Sequence, residues 1–126
     1  MQLRLDVKGL REMEKALRQY PDRAERALAG AMYTEAERIM AEAKRLTPVD
    51  TGTLRASGHV QEPKVKPGRI EVVMGFGGPA APYAIYVHEN LEAHHTVGQA
   101  KFLETPLMRA QRGLANRLAV QLRKFL

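Results

Sequence analysis

The longest helical pattern in the chain is the feature that most constrains its fold. Apolar residues recur every three or four positions between residues 22 and 46, which is the spacing of one helical face. They are Leu28, Met32, Ala36, Ile39, Ala43 and Leu46. Asp22 and Glu25 suit an N-terminal capping box, and Pro48 disfavours helical geometry at Thr47. The pattern therefore predicts an amphipathic helix of about 24 residues, roughly 36 Å long.

Two shorter patterns come before this helix. Residues 2–7 alternate between apolar and polar side chains, as a short, half-buried strand does. Four apolar residues then follow at helical spacing, and Pro21 closes this first helix. They are Leu10, Met13, Leu17 and Tyr20.

The region after Pro48 contains the strand patterns of the middle of the chain. Residues 56–62 and 70–76 are predicted to be strands, and residues 64–68 suit a hairpin loop because they include a proline and a glycine. Residues 77–82 are rich in glycine and proline and predict a further loop. Residues 83–88 fit either a third paired strand or a short helix, and we favour the helix.

The end of the chain combines a polar loop with a basic helix. Residues 90–99 are predicted to form the loop, and helical spacing resumes from Lys101 to Phe125, which predicts one continuous helix. Its basic residues are Lys101, Arg109, Arg112, Arg117, Arg123 and Lys124.

These elements follow the order β-α-α-β-β-(α)-α, which predicts an α+β fold with a small antiparallel β-sheet packed against long α-helices. A length of 126 residues suits a single domain, residues 1–126, with one core. Trp is absent and only 6% of residues are aromatic, so this core depends on Leu, Ala, Val, Ile and Met.

The formal net charge is +6, and the basic residues are spread along the chain without a long run. This balance is compatible with nucleic acid, with an acidic protein partner, or with a solvated surface. The chain has no cysteine, which excludes disulfides and thiol nucleophiles. It shows neither a signal peptide nor an apolar stretch of membrane-spanning length, so we expect a soluble protein made in a cytoplasm.

The segment from His88 to His95 is the only cluster in the sequence with the residue types of a metal site. His88 and Glu92 would share a helical face, and imidazole and carboxylate both bind zinc. However, the spacing is not that of His-Glu-x-x-His, and the adjacent His94 and His95 cannot both face one site from regular structure. An exposed polar loop is the simpler interpretation, and a metal-dependent hydrolase built on His88, Glu92 and His95 is the alternative.

Thr47-Pro48-Val49-Asp50-Thr51-Gly52-Thr53-Leu54-Arg55 stops one element and starts another within nine residues. Aspartate followed by glycine is typical of turns and caps, and no serine elbow or placed histidine suggests nucleophilic catalysis. We therefore interpret this motif as a corner between the long helix and the sheet, with Gly52 at positive φ.

Three parts of the chain together resemble a known family. They are the long helix with the motif from Thr47 to Ser57, the segment Tyr83-Ala84-Ile85-Tyr86-Val87-His88-Glu89, and Lys101-Phe102-Leu103-Glu104-Thr105-Pro106-Leu107. In this order they resemble the tail-component family of long-tailed bacteriophages and prophages, which includes neck and tail-completion proteins.

The resemblance implies a non-enzymatic structural protein of the virion, made in the bacterial host and acting at the head–tail junction. It implies other phage neck and tail proteins as partners, and a homo-oligomeric ring, commonly with six-fold symmetry. DNA contact would be non-specific at most, and no membrane, small-molecule substrate, cofactor, metal or catalytic residue is implied. A basic nucleic-acid-binding module that uses the C-terminal helix is the alternative function.

Two sets of residues follow from these interpretations. The structural turn comprises Pro48, Asp50, Thr51, Gly52 and Leu54. The candidate subunit or partner contacts are Tyr83, Tyr86, His88, Glu89, Arg109, Arg112 and Arg117.

Overall fold

A computed structural model describes residues 1–49, 52–92 and 98–125. Its strands are β1 (Gln2–Lys8), β2 (His59–Val60), β3 (Lys64–Lys66) and β4 (Arg69–Gly75). Its helices are α1 (Arg11–Gln19), α2 (Pro21–Leu46), α3 (Thr53–Ala56), α4 (Ala84–Glu89), α5 (Glu104–Gln111) and α6 (Leu114–Phe125). The predicted α+β class with a small antiparallel sheet is confirmed.

The sheet is built around β4. β1 pairs with it antiparallel along its whole length, from Gln2 opposite Gly75 to Lys8 opposite Arg69. β2 and β3 are also antiparallel to β4 and pair with its two ends. β1 is therefore a complete edge strand of the sheet.

The long helix α2 lies at the centre of the packing. It contacts α1, α5 and α6 as well as β2, β3 and β4. Its buried face carries most of the predicted apolar stripe, which includes Leu28, Met32, Ala36, Ile39 and Ala43. The helices thus cover one face of the sheet, with the core between them.

The start of α2 differs from the sequence prediction. Pro21 is its first residue and does not merely close α1, because a proline has no N–H to leave unsatisfied at this position. The N-cap is Tyr20, which makes no side-chain capping bond, and Asp22 lies in the first turn. The predicted capping box from Asp22 to Glu25 is therefore wrong, although an acidic residue there still favours the helix dipole.

Three further predictions need correction. Of the predicted strand 56–62, only His59–Val60 forms a strand, because α3 occupies its start, and the N–H of Gln61 still donates to the carbonyl of Val73 at 2.8 Å. The predicted loop 64–68 contains β3, so the hairpin turn is shorter than expected. The predicted C-terminal helix is divided into α5 and α6, since Gly113 adopts a φ of 72° that helical geometry does not allow.

The ambiguous segment 83–88 is resolved in favour of the helix, which runs from Ala84 to Glu89. Among the described residues, no helix combines the length and the apolar character needed to cross a membrane.

Candidate partner-contact site

Helix α4 presents an apolar outer surface. Ala84 and His88 lie one turn apart and are buried, so the side of the helix between them faces the core. The opposite side leaves Ile85 57% exposed and Tyr86 68% exposed. Tyr83 before the helix and Leu91 after it are also exposed, at 43% and 73%. We call these four residues the α4 surface.

The buried side of α4 is fixed by His88, whose side chain is almost completely enclosed. Its Nε2 accepts a hydrogen bond from the backbone N–H of Glu104, 3.2 Å away. Its Nδ1 lies 2.7 Å from Oε1 of Glu89. Because Nε2 must be an acceptor, the proton of the neutral ring is on Nδ1, which donates to Glu89.

Aromatic packing completes the enclosure of His88. The edge of its ring meets Phe102, with the ring centroids 4.9 Å apart and the planes at 82°. Phe102 makes a similar edge contact with Phe76, also at 4.9 Å. This arrangement is favourable for aromatic rings and ties α4 to the end of β4 and to the start of α5.

A salt-bridge pair closes the outer side of the same junction. Lys101 donates to Oε2 of Glu89 and lies 3.2 Å from Glu104. The hydrogen bond from Lys101, followed by that from His88, lowers the pKa of Glu89. The bond to Glu89, followed by that to Glu104, raises the pKa of Lys101. Both groups are therefore held in their charged forms.

The backbone around Lys101 is also constrained. Its N–H donates to the carbonyl of His88 at 2.7 Å, and its φ is 55°, which is uncommon for a residue other than glycine. The sequence pattern predicts Lys101 within the basic helix, whereas it precedes α5 and anchors α4. Nothing in the sequence distinguishes it from the other lysines.

The proposed metal ligands do not form a site in the described part of the chain. Both ring nitrogens of His88 are already engaged, and Glu92 is exposed. His94 and His95 lie outside the described residues. No group of three or more potential metal ligands occurs among the residues that are described.

The turn motif is described except for Asp50 and Thr51, which lie outside the described residues. Gly52 adopts a φ of 85° and precedes α3, in which Leu54 is buried. Thr47 is buried and its hydroxyl donates to the carbonyl of Ala43 at 2.7 Å. Pro48 follows with its ring half-buried. The motif thus ends α2 and begins a short helix, where a direct entry into a strand was expected.

Ser57 has a structural role beside this motif. The hydroxyl of Ser57 donates to the carbonyl of Leu54 at 2.6 Å and accepts from the N–H of Gly77 at 2.9 Å. It therefore joins the end of α3 to the loop that leads towards α4.

The three candidate arginines behave differently from one another. Arg117 donates to both carboxylate oxygens of Glu35, at 2.8 Å and 3.2 Å. It also donates to the carbonyls of Ala110 and Arg112 at the end of α5. Arg109 makes one 3.4 Å contact with Glu42 and is largely exposed. Arg117 therefore joins α2, α5 and α6 within the chain, whereas Arg109 and Arg112 face solvent.

Glu35 is not among the predicted site residues, although the sequence contains a signal for it. It lies three residues after Met32 and four before Ile39, and so falls within the apolar stripe of α2. A charged residue on a buried stripe usually has a partner, and here that partner is Arg117.

Comparison with known families identifies the family of this chain. The family model described as bacteriophage HK97-gp10, putative tail-component, matches residues 11–104. The chain belongs to this HK97-gp10-like family. The resemblance noted in the sequence is thereby confirmed, and membership implies a structural role in a bacteriophage virion together with other phage tail proteins.

The match with the HK97-gp10-like family covers part of the described fold. It includes α1 to α4 and the first residue of α5, and it leaves out β1, α6 and the three candidate arginines. Comparison with curated proteins and with solved structures gave no significant match.

Proposed function

We propose that this tail-component protein is a non-enzymatic neck or tail-completion protein that acts at the head–tail junction and assembles into a ring such as a hexamer. The observation that carries the proposal is the α4 surface, which combines two tyrosines with two large aliphatic residues. Tyrosine is enriched at protein interfaces and at their energetic centres. The α4 surface is the proposed contact with a neighbouring subunit or tail protein.

The support beneath α4 suits a contact that must be rigid. His88 and Glu89 hold the helix from the buried side and from the rim, so binding would cost little ordering entropy. Tyr86 is itself restrained, because Asn90 donates to its hydroxyl at 3.1 Å. A preorganised surface of this kind fits a protein that joins two assemblies.

The ring follows from symmetry. When the α4 surface of one subunit contacts a different surface of the next, the contact is heterologous, and it closes into a ring if the rotation allows. The net charge of +6 is compatible with a channel through which DNA passes. Contact with DNA would then involve phosphates and not bases.

The alternative function, a basic nucleic-acid-binding module, has less support. Arg117 uses its donors on Glu35 and on the α5 carbonyls, and Arg123 donates to Glu12. Arg109, Arg112 and Lys124 are then the exposed basic residues that remain in this region, which is a small electrostatic footprint for duplex binding.

The test is a complementation assay in the phage or prophage whose genome carries this gene. Heads, tails and joined particles are counted by negative-stain microscopy with the gene deleted and then restored. We expect deletion to yield separate heads and tails. Tyr86→Glu should lower the fraction of joined particles at least about tenfold, because losing a central aromatic contact costs about 2 kcal/mol or more.

Val120→Glu is the matched control, because Val120 is 44% exposed on α6, outside the α4 surface. It should leave joining unchanged while both variants keep the wild-type melting curve. Joined particles in the deletion strain would overturn the proposal that the protein acts at the head–tail junction. Normal joining by the Tyr86→Glu protein would overturn the role of the α4 surface.

A further inference from the structure

The outer edge of β1 has backbone groups that the rest of the described chain does not use. β1 ends the sheet on one side and pairs only with β4. Backbone hydrogen bonds link Phe76 to Met1 and Gly9 to Gly68 at the two ends of the β1–β4 ladder. In an antiparallel pair, hydrogen-bonded and non-hydrogen-bonded positions alternate.

This alternation determines which residues point outward. Since residues 1 and 9 bond to the β4 side, residues 3, 5 and 7 do so as well. The even residues therefore direct their N–H and C=O groups to the free edge. They are Gln2, Arg4, Asp6 and Lys8. An edge strand with such a row is a template for another strand.

We infer that β1 pairs antiparallel with β1 of a second copy of this chain, in the register that places Arg4 opposite Asp6 of that copy. In this register the even residues face each other, so the two strands exchange about eight backbone hydrogen bonds. It also gives the longest overlap, with Gln2 opposite Lys8 and Leu5 at the two-fold axis.

Charge selects this register over its neighbours. Two opposite-charge pairs form, Arg4 with Asp6 of the other copy and the reverse. A shift of one strand by two residues still places even residues opposite each other. In one direction it puts Arg4 opposite Arg4 of the other copy, and in the other direction it puts Asp6 opposite Asp6. Like charges directly opposite on adjacent strands are destabilising. The sequence of the edge is thus complementary to itself in one register.

The side chain of Arg4 is open to solvent, whereas that of Asp6 is only partly exposed, at 26%. The side chain of Arg4 is 55% exposed, and its contacts with Asp6 and Glu71, at 3.9 Å and 3.5 Å, are long. Both ion pairs of Asp6 use Oδ2, so its Oδ1 can accept from Arg4 of the second copy. On the other face, Leu3 is only half-buried at the edge of the core, and it would be covered opposite Val7 of the second copy.

The antiparallel arrangement also keeps the two subunits compatible. A two-fold axis perpendicular to the sheet leaves the helices of both copies on the same face, so the core face continues across the junction. The contact is isologous and closes at two copies. It is therefore distinct from the α4 surface and does not depend on the proposed function.

The opposing interpretation is that the charged edge prevents pairing, which is a common role of such residues. The two interpretations differ in a charge-reversal experiment. Arg4→Asp places acids opposite each other, and Asp6→Arg places bases opposite each other. Mixed in equal amounts, the two variants regain opposite charges in both pairs.

Sedimentation velocity is measured at protein concentrations from about 1 μM to about 1 mM, a range that detects dimers of moderate to weak affinity. Each protein is also prepared with Tyr86→Glu, so that association through the α4 surface does not contribute. We expect the protein with the wild-type β1 sequence to form a dimer. Each single reversal should raise the dissociation constant at least about tenfold, and the mixture should restore it.

Lys8→Glu is the matched control, because it makes a comparable change in net charge on the same strand but faces the neutral Gln2. Its dissociation constant should stay within about threefold of the wild-type value. Thermal melts confirm that each variant folds. A wild-type protein that stays monomeric would overturn the inference, as would a dimer that ignores the reversals or a mixture that does not recover.

Discussion

Nε2 of His88 accepts a hydrogen bond from the backbone N–H of Glu104 across 3.2 Å, so a side chain of α4 satisfies the first residue of α5. The first N–H groups of a helix have no partner within the helix. A buried histidine therefore acts as the N-terminal cap of another helix. The same ring supports the α4 surface from beneath, which links the stability of this region to its proposed contact.

Replacement of His88 tests this link. We expect His88→Ala to lower the free energy of unfolding by about 2–4 kcal/mol, because it removes a buried ring and leaves the Glu104 N–H without its acceptor. Urea denaturation measures the change. His88→Gln is the control, since its amide oxygen can still accept near the position of Nε2, and it should lose less. Equal losses in the two variants would contradict the capping role.

The Arg117–Glu35 pair gives a second prediction. Arg117→Met should destabilise the fold by about 2–4 kcal/mol, because it leaves the Glu35 carboxylate buried without its partner. It also removes the donors to the carbonyls at the end of α5. Urea denaturation of single and double variants with Glu35→Gln would separate the two contributions.

Arg109→Met is the matched control for this prediction, because Arg109 makes a single exposed contact with Glu42. Its effect should stay below about 1 kcal/mol, as is usual for surface ion pairs. If Arg117→Met lowered the free energy of unfolding as little as Arg109→Met, the contacts of Arg117 with α2 and α5 would not be a source of stability.

The sequence predicts elements that rest on local periodicity better than those that depend on partners. The stripe from Leu28 to Ala43 identified α2, because a helix buries one face whatever it packs against. The start of that helix was misplaced, since Pro21 is equally compatible with ending one helix and beginning the next. The order of the strands around β4 was not predictable, because pairing is determined by long-range contacts.

In the candidate site, too, local features are predictable and those that depend on distant partners are not. Tyr83, Tyr86, His88 and Glu89 were singled out together, and they do lie in or beside one short helix. Their different orientations could not be derived, since residues of a single turn face core or solvent according to distant neighbours such as Phe102. Arg117 was grouped with solvent-facing arginines because its partner is 82 residues away.

Acid should weaken the junction of β1, β3 and β4. Glu71 is buried and accepts from Lys66 at 3.0 Å, with Arg69 and Arg4 nearby. The hydrogen bond from Lys66, then the charges of Arg69, Lys66 and Arg4, lower the pKa of Glu71 against an opposing effect of desolvation. A lowered folded-state pKa contributes stability that is present above the ordinary value of 4.5 and is lost as the pH falls through the folded-state pKa.

Glu71→Gln should therefore show a shallower loss of stability below about pH 4.5 than the wild type. Urea midpoints measured at several values between about pH 3 and pH 7 would reveal the difference. Glu62→Gln is the control, because Glu62 is exposed and has no ion pair among the described residues. If the two variants follow the same acid profile, the ion pairs of Glu71 do not contribute to the pH dependence.

Two glycines provide a matched test of the turn after α2. Gly52 has a φ of 85°, where an added side chain is strained even though nothing lies within 4 Å of its Cβ position. Gly52→Ala should cost about 1–2 kcal/mol, and the β-branched Gly52→Val should cost more.

Gly30 lies inside α2, and nothing is within 4 Å of its Cβ position either. Because the space is equally open and only the backbone conformation differs, Gly30→Ala should stabilise the protein by about 0.5–1 kcal/mol. Thermal and urea unfolding of the two alanine variants would give changes of opposite sign. Changes of the same sign would mean that the left-handed backbone at Gly52 is not what requires glycine at this turn.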